Sequence, residues 1–217
     1  MARMQQDGAF SPEDALGHLR AADPVLGSLI ERVGPYNPPR RPDPYTALLR
    51  AILFQQLAGP AANAIQKRFL ALYSSDGRAP EPREILETTD EQFRSAGVSR
   101  QKAAYLRDLA LHVADGRLDF AALPSLSDDE IVRQVTAVKG LGEWSAHMFL
   151  MFHLGRPDIL PVGDLGVRHG MRLTYRLPEL PTPAQAKEIG APWAPYRSVG
   201  SWYMWRAVEA ASTQPDI

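Results

Sequence analysis

The sequence predicts an all-α protein of 217 residues. Three observations support this prediction. Apolar residues recur at helical spacing, capping residues and prolines stand where helices would begin, and no segment shows the apolar–polar alternation of a strand. A hydrophobic content of 45% is enough for a core, and the length fits one compact protein with room for two lobes.

Helix signals place the elements in order along the chain. Ser11 and Pro12 fit the N-cap and first position of a first helix, and a proline-rich segment from 35 to 44 predicts an extended connection. Ser127 and Glu130 form a capping box. The further predicted helices cover 45–57, 61–73, 84–94, 100–114, 128–138, 143–154, 164–175 and 198–211, with a short one after Thr182.

Composition excludes several classes of protein. The chain has no cysteine, so disulfides, cysteine zinc sites and iron–sulfur clusters are excluded. It has no apolar run long enough to span a bilayer and no secretory signal, so we expect a cytoplasmic protein without a membrane partner. A formal net charge of -1 gives no overall indication of nucleic-acid binding.

The segment 138–146 reads VKGLGEWSA and predicts a glycine-rich hairpin between two helices. Glycines allow positive φ and leave backbone amides unshielded, and a helix N-terminus adds free amides and a positive dipole. Lys139, Gly140, Gly142 and Ser145 could therefore hold a phosphate oxygen. The alternative is an ordinary αα-hairpin whose glycines only permit a tight turn.

Asp164 stands between two glycines at a predicted helix start, in the stretch LPVGDLGVRHG. One interpretation is a helix N-cap. The other is a carboxylate presented at the edge of a functional site. The two interpretations are compatible, because a capping carboxylate is held rigidly at the positive end of a helix dipole.

Four stretches together carry a resemblance to a known family: LLRAILFQQLAGPAA, VKGLGEWSAHMF, LPVGDLGVR and APYRSVGSWYMWR. The chain resembles the helix-hairpin-helix DNA glycosylases, and within them the 3-methyladenine DNA glycosylase II family, whose members excise alkylated purines. The resemblance implies two helical lobes around a cleft that holds Asp164. Lobe A would comprise 1–40 and 155–217, and lobe B 41–154 with the hairpin at 138–142. We expect no additional N-terminal α/β domain.

The same resemblance implies a role for individual residues. Asp164 would be the catalytic carboxylate. The base pocket would contain Trp144, Trp205, Met148 and Leu165, although a tryptophan at helical spacing also fits simple core packing. Met148 and Leu165 stand where some relatives carry an aromatic residue, and Gly163 where some carry a second aspartate. Trp144 stands where strand-cutting relatives carry a lysine, which implies that this chain leaves the DNA backbone intact.

The resemblance also implies how DNA would be held. Leu57 would be the wedge that fills the space of the flipped base, with Gln56 beside it, although a buried leucine is the ordinary alternative. Gly140, Gly142 and Ser145 would contact a phosphate. No cofactor is required, but the carbonyls of Thr136, Val138 and Leu141 would hold a structural Na⁺ or K⁺. Further backbone contacts, or plain surface charges, are Arg100, Lys102, Arg168 and Arg197.

The resulting expectation is a monofunctional DNA glycosylase that removes alkylated purines such as 3-methyladenine and 7-methylguanine in base excision repair. Its partner would be double-stranded DNA with damaged bases, and we expect a monomer associated with the nucleoid. Two alternatives remain open at this point. One is a non-catalytic hairpin DNA-binding protein, and the other is a glycosylase for other damaged bases.

Overall fold

The computed structural model describes residues 10–38 and 43–213, and within these ranges the chain is helical and contains no strand. The helices in chain order are α1 (Pro12–Ala22), α2 (Pro24–Val33), α3 (Pro44–Phe54), α4 (Gly59–Ala71), α5 (Pro82–Glu87), α6 (Asp90–Ser95), α7 (Arg100–Ala114), α8 (Asp128–Ala137), α9 (Glu143–Phe152), α10 (Leu165–Thr174), α11 (Pro183–Gly190) and α12 (Arg197–Thr213). The all-α prediction is confirmed.

Side-chain capping explains where many of these helices begin. The Ser11 hydroxyl accepts the amide hydrogen of Asp14, and reciprocal capping boxes start α8 at Ser127 and α11 at Thr182. Because each cap satisfies an amide that has no partner inside the helix, these starts could be predicted from the sequence.

Two expectations on helix boundaries were wrong, and one helix was not predicted. The predicted helix over 84–94 is two helices, because Thr89 begins a capping box of its own with Gln92. The helix predicted to reach Leu57 ends at Phe54, because the backbone leaves the helical conformation at Gln55, with a ψ of 132°, and turns further at Gln56, with a φ of 55°. Helix α2 was not predicted, although Asp23 caps it and a proline occupies its first position. The predicted connection over 35–44 lies partly outside the described residues.

The chain divides into two compact units, Met1–Arg40 with Leu150–Ile217 and Arg41–Phe149. The second boundary falls inside α9, whereas the predicted lobes meet after residue 154. The boundary predicted at 40/41 falls among residues outside the described ranges.

The first unit is built around the contact between α10 and α12. A Cβ added to Gly170 would lie 2.2 Å from the carbonyl oxygen of Met204, so only glycine lets the two helices approach this closely. Around them lies a core that includes Leu26, Trp193 and Tyr203, all of them buried. This packing determines how the N-terminus of α10 lies against α12.

The second unit is organised around α7, which packs against α3, α5 and α6. Leu106 and Phe93 are buried in this packing, and so is Phe69 of α4. None of the helices in the described ranges combines the length and the hydropathy needed to cross a bilayer.

Candidate active site and hairpin

Asp164 is the N-cap of α10, and the residue is 9% exposed. Its Oδ1 accepts the amide hydrogen of Val167 at 2.6 Å and the indole N–H of Trp205 at 2.9 Å. Both donors restrict the orientation of the carboxylate. The structure therefore confirms the capping interpretation of Asp164, and it gives the carboxylate a fixed position.

Two glycines of α10 allow Trp205 to reach this carboxylate. Gly170 sets the close approach of α10 to α12 at Met204, the residue before Trp205. One turn earlier, a Cβ on Gly166 would lie 2.8 Å from Cδ1 of Trp205 and 3.1 Å from Oδ1 of Asp164. Any side chain at position 166 would therefore separate the indole from the carboxylate. Gly166 and Gly170 stand four positions apart in LGVRHG, and this spacing is a signal in the sequence from which the contact was not predicted.

Trp205, the side-chain donor to this carboxylate, packs against a second aromatic ring of the first unit. Trp205 is half-buried, and its ring lies 5.8 Å from that of Phe152 at a tilt of 38°. Leu165, next to Asp164, is 56% exposed. Trp205 is therefore both an aromatic surface and a hydrogen-bond donor to Asp164, and only the first of these roles was predicted.

The hairpin joins α8 to α9 in the second unit. Gly140 has a φ of 84°, and a Cβ there would lie 2.2 Å from Cδ2 of Tyr105, so two independent constraints require glycine. Gly142 has neither constraint. The first backbone bond of α9 runs from the amide of Ala146 to the carbonyl of Gly142 at 3.1 Å.

Within the described ranges, the hairpin presents three backbone amides without a hydrogen-bond acceptor. In the described part of the chain, the amides of Gly140, Gly142 and Ser145 donate no hydrogen bond. They lie at or just before the N-terminus of α9, where the dipole is positive. The side chain of Lys139 is 75% exposed, and its Nζ lies 3.7 Å from Oδ1 of Asp108. These groups match the chemistry of a phosphate oxygen.

The predicted wedge residues lie in the turn between α3 and α4, residues 55–58, which forms the wedge turn. Gln56 is exposed and adopts the left-handed conformation, and Leu57 is 37% exposed. The predicted pocket residues of α9 lie one turn apart on one face: Trp144 is 55% exposed and Met148 is half-buried. Leu57 and Trp144 are therefore not part of the buried core.

Three of the basic residues considered as DNA contacts have partners within their own unit. Lys102 donates to the carbonyl of Leu53, Arg168 donates to the carbonyl of Pro181, and Arg197 makes a two-point ion pair with Asp158. These side chains hold local structure. Arg100 is exposed at the start of α7.

The carbonyls predicted to hold a monovalent cation are those of Thr136, Val138 and Leu141, at the C-terminal end of α8 and in the hairpin. Val138 and Leu141 are buried, which fixes the backbone that carries two of these oxygens. Oxygen atoms near the negative end of a helix dipole suit a hard cation. The described residues contain no cluster of three or more His, Asp or Glu side chains that could hold a metal ion.

Comparison with known proteins places this geometry in a family. Residues 49–195 match the HhH-GPD superfamily of base excision DNA repair proteins, and this range contains the wedge turn, the hairpin and Asp164. This chain belongs to the HhH-GPD superfamily. The matched range covers more than half of the chain and ends before Trp205. The hydrogen bond from the Trp205 indole to the Asp164 carboxylate is therefore known from the structure and not from the family match.

Individual members of the superfamily are similar over nearly their whole length. The DNA-3-methyladenine glycosylase 1 of Schizosaccharomyces pombe is 36% identical over 91% of this chain and 89% of its own. A crystal structure of a DNA-3-methyladenine glycosidase from Bacillus halodurans has a TM-score of 0.84 at 36% identity, covering 94% of this chain and 92% of its own. A structure of an S. pombe 3-methyladenine DNA glycosylase in complex with abasic DNA has a TM-score of 0.82 at 34% identity, covering 94% and 99%.

Proposed function

We propose that this HhH-GPD protein is a monofunctional DNA glycosylase that excises alkylated purines, such as 3-methyladenine and 7-methylguanine, from double-stranded DNA. The observation that carries the proposal is the fixed, buried carboxylate of Asp164 with its two donors. The names of the relatives support alkylated bases as the substrate class.

The chemistry required of Asp164 is electrostatic. When the bond between C1′ and the purine nitrogen breaks, its electron pair leaves with the base and positive charge develops on the sugar. An ionised carboxylate near C1′ stabilises this charge, and water then adds to C1′ and loses a proton. The hydrogen bonds from Val167 and Trp205 hold the carboxylate in place before the reaction, so little reorganisation is needed.

The remaining residues would bind and select the substrate. The indole faces of Trp144 and Trp205 suit a cationic alkylated purine, because the face of a tryptophan ring attracts cations. Met148 beside Trp144, and Leu165 beside Asp164, would each add apolar surface for the base. Leu57, with Gln56 beside it, would fill the space that the flipped nucleotide leaves in the stack. The free amides at Gly140, Gly142 and Ser145, with Lys139, would hold one phosphate without reading sequence.

Trp144 supports a reaction without strand cleavage. A lyase needs an amine at the sugar to form a Schiff base, and position 144 of this chain has an indole instead. Sodium borohydride should therefore trap no covalent protein–DNA adduct. A trapped adduct would refute the monofunctional part of the proposal.

The proposal also includes a structural Na⁺ or K⁺ held by the carbonyls of Thr136, Val138 and Leu141. It further includes that the protein is a monomer and works on chromosomal DNA. A bound cation would neutralise these oxygens and help attract the phosphate at the hairpin. Replacing K⁺ by a large organic cation at constant ionic strength should weaken DNA binding. Light scattering with and without a DNA duplex should give the mass of one chain per complex.

The decisive experiment is base release from duplexes that each carry one defined lesion, comparing the wild type with Asp164→Asn. Asparagine retains the oxygen that accepts from Val167 and Trp205, so the fold should persist while the negative charge is lost. We expect most turnover to disappear. Asp43→Asn is a matched control, because Asp43 caps α3 by accepting the amides of Tyr45 and Thr46 but lies in the other unit. Undiminished base release by Asp164→Asn would refute the proposal.

A further inference from the structure

One face of α7 supports both the hairpin and the wedge turn. Lys102, Tyr105 and Asp108 follow one another at intervals of three residues, so their side chains lie on the same side of the helix. All three belong to the second unit, as do the hairpin and the turn between α3 and α4. Each of the three contacts a different point of these two segments.

Lys102 anchors the end of α3. Its Nζ donates to the carbonyl oxygen of Leu53 at 2.6 Å, in the last turn of that helix, where carbonyls lack an intrahelical partner. A cation at this point also matches the negative end of the α3 dipole. Partial burial lowers the pKa of the Lys102 amine. The wedge turn begins two residues after this anchor.

Tyr105 and Asp108 hold the hairpin. Gly140 packs on the Tyr105 ring so closely that no side chain fits between them. Oδ2 of Asp108 accepts the amide hydrogen of Lys139 at 2.8 Å. The backbone that presents the free amides of Gly140 and Gly142 is therefore seated on the same helix that anchors α3.

Gln55 then joins the two segments directly. Its side-chain amide Nε2 donates to the carbonyl oxygen of Gly140 at 2.6 Å, across 85 positions of sequence. Gln55 comes two residues before Leu57, and Gly140 carries one of the free amides. A single hydrogen bond thus connects the segment that would grip a phosphate to the segment that would enter the base stack.

We propose that Gln55 is a positioning residue that sets the distance between the phosphate-holding hairpin and the wedge Leu57. The proposal rests on the glycosylase function proposed above. Contact of the hairpin with a phosphate would then fix where along the duplex Leu57 enters. Without this bond the two contacts would form independently, and fewer encounters would have both in place at once.

A double-mutant cycle tests this coupling. The variants are Gln55→Met, which keeps the length of the side chain but removes its donor, Leu57→Ala, and both together. For each, base release from a duplex with one 7-methylguanine is measured at single turnover. Loss of one neutral hydrogen bond corresponds to about 0.5–1.5 kcal/mol, so we expect Gln55→Met to be about 2–10-fold slower. The double variant should be no slower than Leu57→Ala alone, because Gln55 acts through Leu57.

The same cycle is measured for binding to a duplex with a stable abasic-site analogue, which requires no chemistry. If the wild type releases no base but the binding cycle shows coupling, the glycosylase proposal fails and the positioning proposal stands. If the effects of the two substitutions multiply in both measurements, Gln55 does not act through Leu57 and the positioning proposal is refuted.

Two further variants separate positioning from a loss of stability. Gln92→Met removes a glutamine from the capping box of α6 in the same unit, so it should lower the Tm and leave base release unchanged. Gln55→Asn keeps the amide but shortens its reach, so it should slow base release as Gln55→Met does. A Tm loss in Gln55→Met as large as in Gln92→Met, with unaltered base release, would contradict the proposal.

Discussion

Replacing Trp205 with Phe tests the hydrogen bond to the proposed catalytic carboxylate while it keeps an aromatic ring in place. The indole N–H donates to Oδ1 of Asp164 at 2.9 Å, and Asp164 is only 9% exposed, so water replaces this donor poorly. Hydrogen bonds to charged groups contribute about 1.5–3 kcal/mol, and the residual solvent access at Asp164 favours the lower part of that range. A loss of about 1.5–2 kcal/mol corresponds to a kcat about 10–30-fold lower.

The assay is base release from a 7-methylguanine duplex, with kcat and KM determined separately. Trp202→Phe is the matched control, because it removes the same atoms from a buried tryptophan that packs against Tyr36 and Tyr203. That variant should lower the Tm and leave kcat unchanged. The reasoning is refuted if Trp205→Phe stays within about twofold of the wild-type kcat while Asp164→Asn is inactive, since about twofold is less than the weakest expected hydrogen-bond loss.

Three other predictions follow from the geometry. Gly140→Ala should destabilise the protein by at least about 2 kcal/mol, since position 140 has a positive φ and a Cβ there would lie 2.2 Å from the Tyr105 ring. Gly142→Ala should keep the wild-type Tm and only weaken DNA binding. Equal Tm values for the two variants would contradict this reasoning. Asp23→Ala should lower the free energy of unfolding, measured in urea, by about 3 kcal/mol. The reason is that the buried carboxylate accepts hydrogen bonds from two backbone amides of α2 and from the indole N–H of Trp193. A loss below about 1 kcal/mol would contradict this structural role of Asp23. Burial lowers the pKa of His147, so the unfolded chain binds the proton more readily than the folded one, and the stability should fall as the pH drops below about 6.5. His147→Gln should therefore flatten the pH profile of the Tm in this range. An unchanged profile would show that other groups cause the pH dependence.

The candidate site could be predicted only in part from the sequence. Asp164 was recognisable because a carboxylate between two glycines at a helix start is a local pattern, and the structure confirms that it caps α10. The hairpin glycines were recognisable for the same reason. The second role of Trp205 was not, because it depends on the close approach of α10 to α12 at Gly170, and no periodicity within α12 encodes that contact.

The same distinction applies to Gln55 and Asp108. Both have ordinary helix or helix-end positions, and neither residue type points to a hairpin that is distant in the sequence. Their partners, the carbonyl of Gly140 and the amide of Lys139, are backbone groups that leave no trace in the identity of a side chain. Lys102 was considered as a DNA contact because it is basic, whereas the structure shows its amine at the carbonyl of Leu53.

The sequence by itself determined the helical class, many of the helix starts, the hairpin and the capping role of Asp164. These features depend on contacts between residues a few positions apart, whose energetics are carried by local residue types. Only the tertiary structure decided that the indole of Trp205 binds the carboxylate of Asp164 and that Gln55 joins the wedge turn to the hairpin. These contacts depend on how closely two helices or turns approach, and that distance is set by packing over the whole unit.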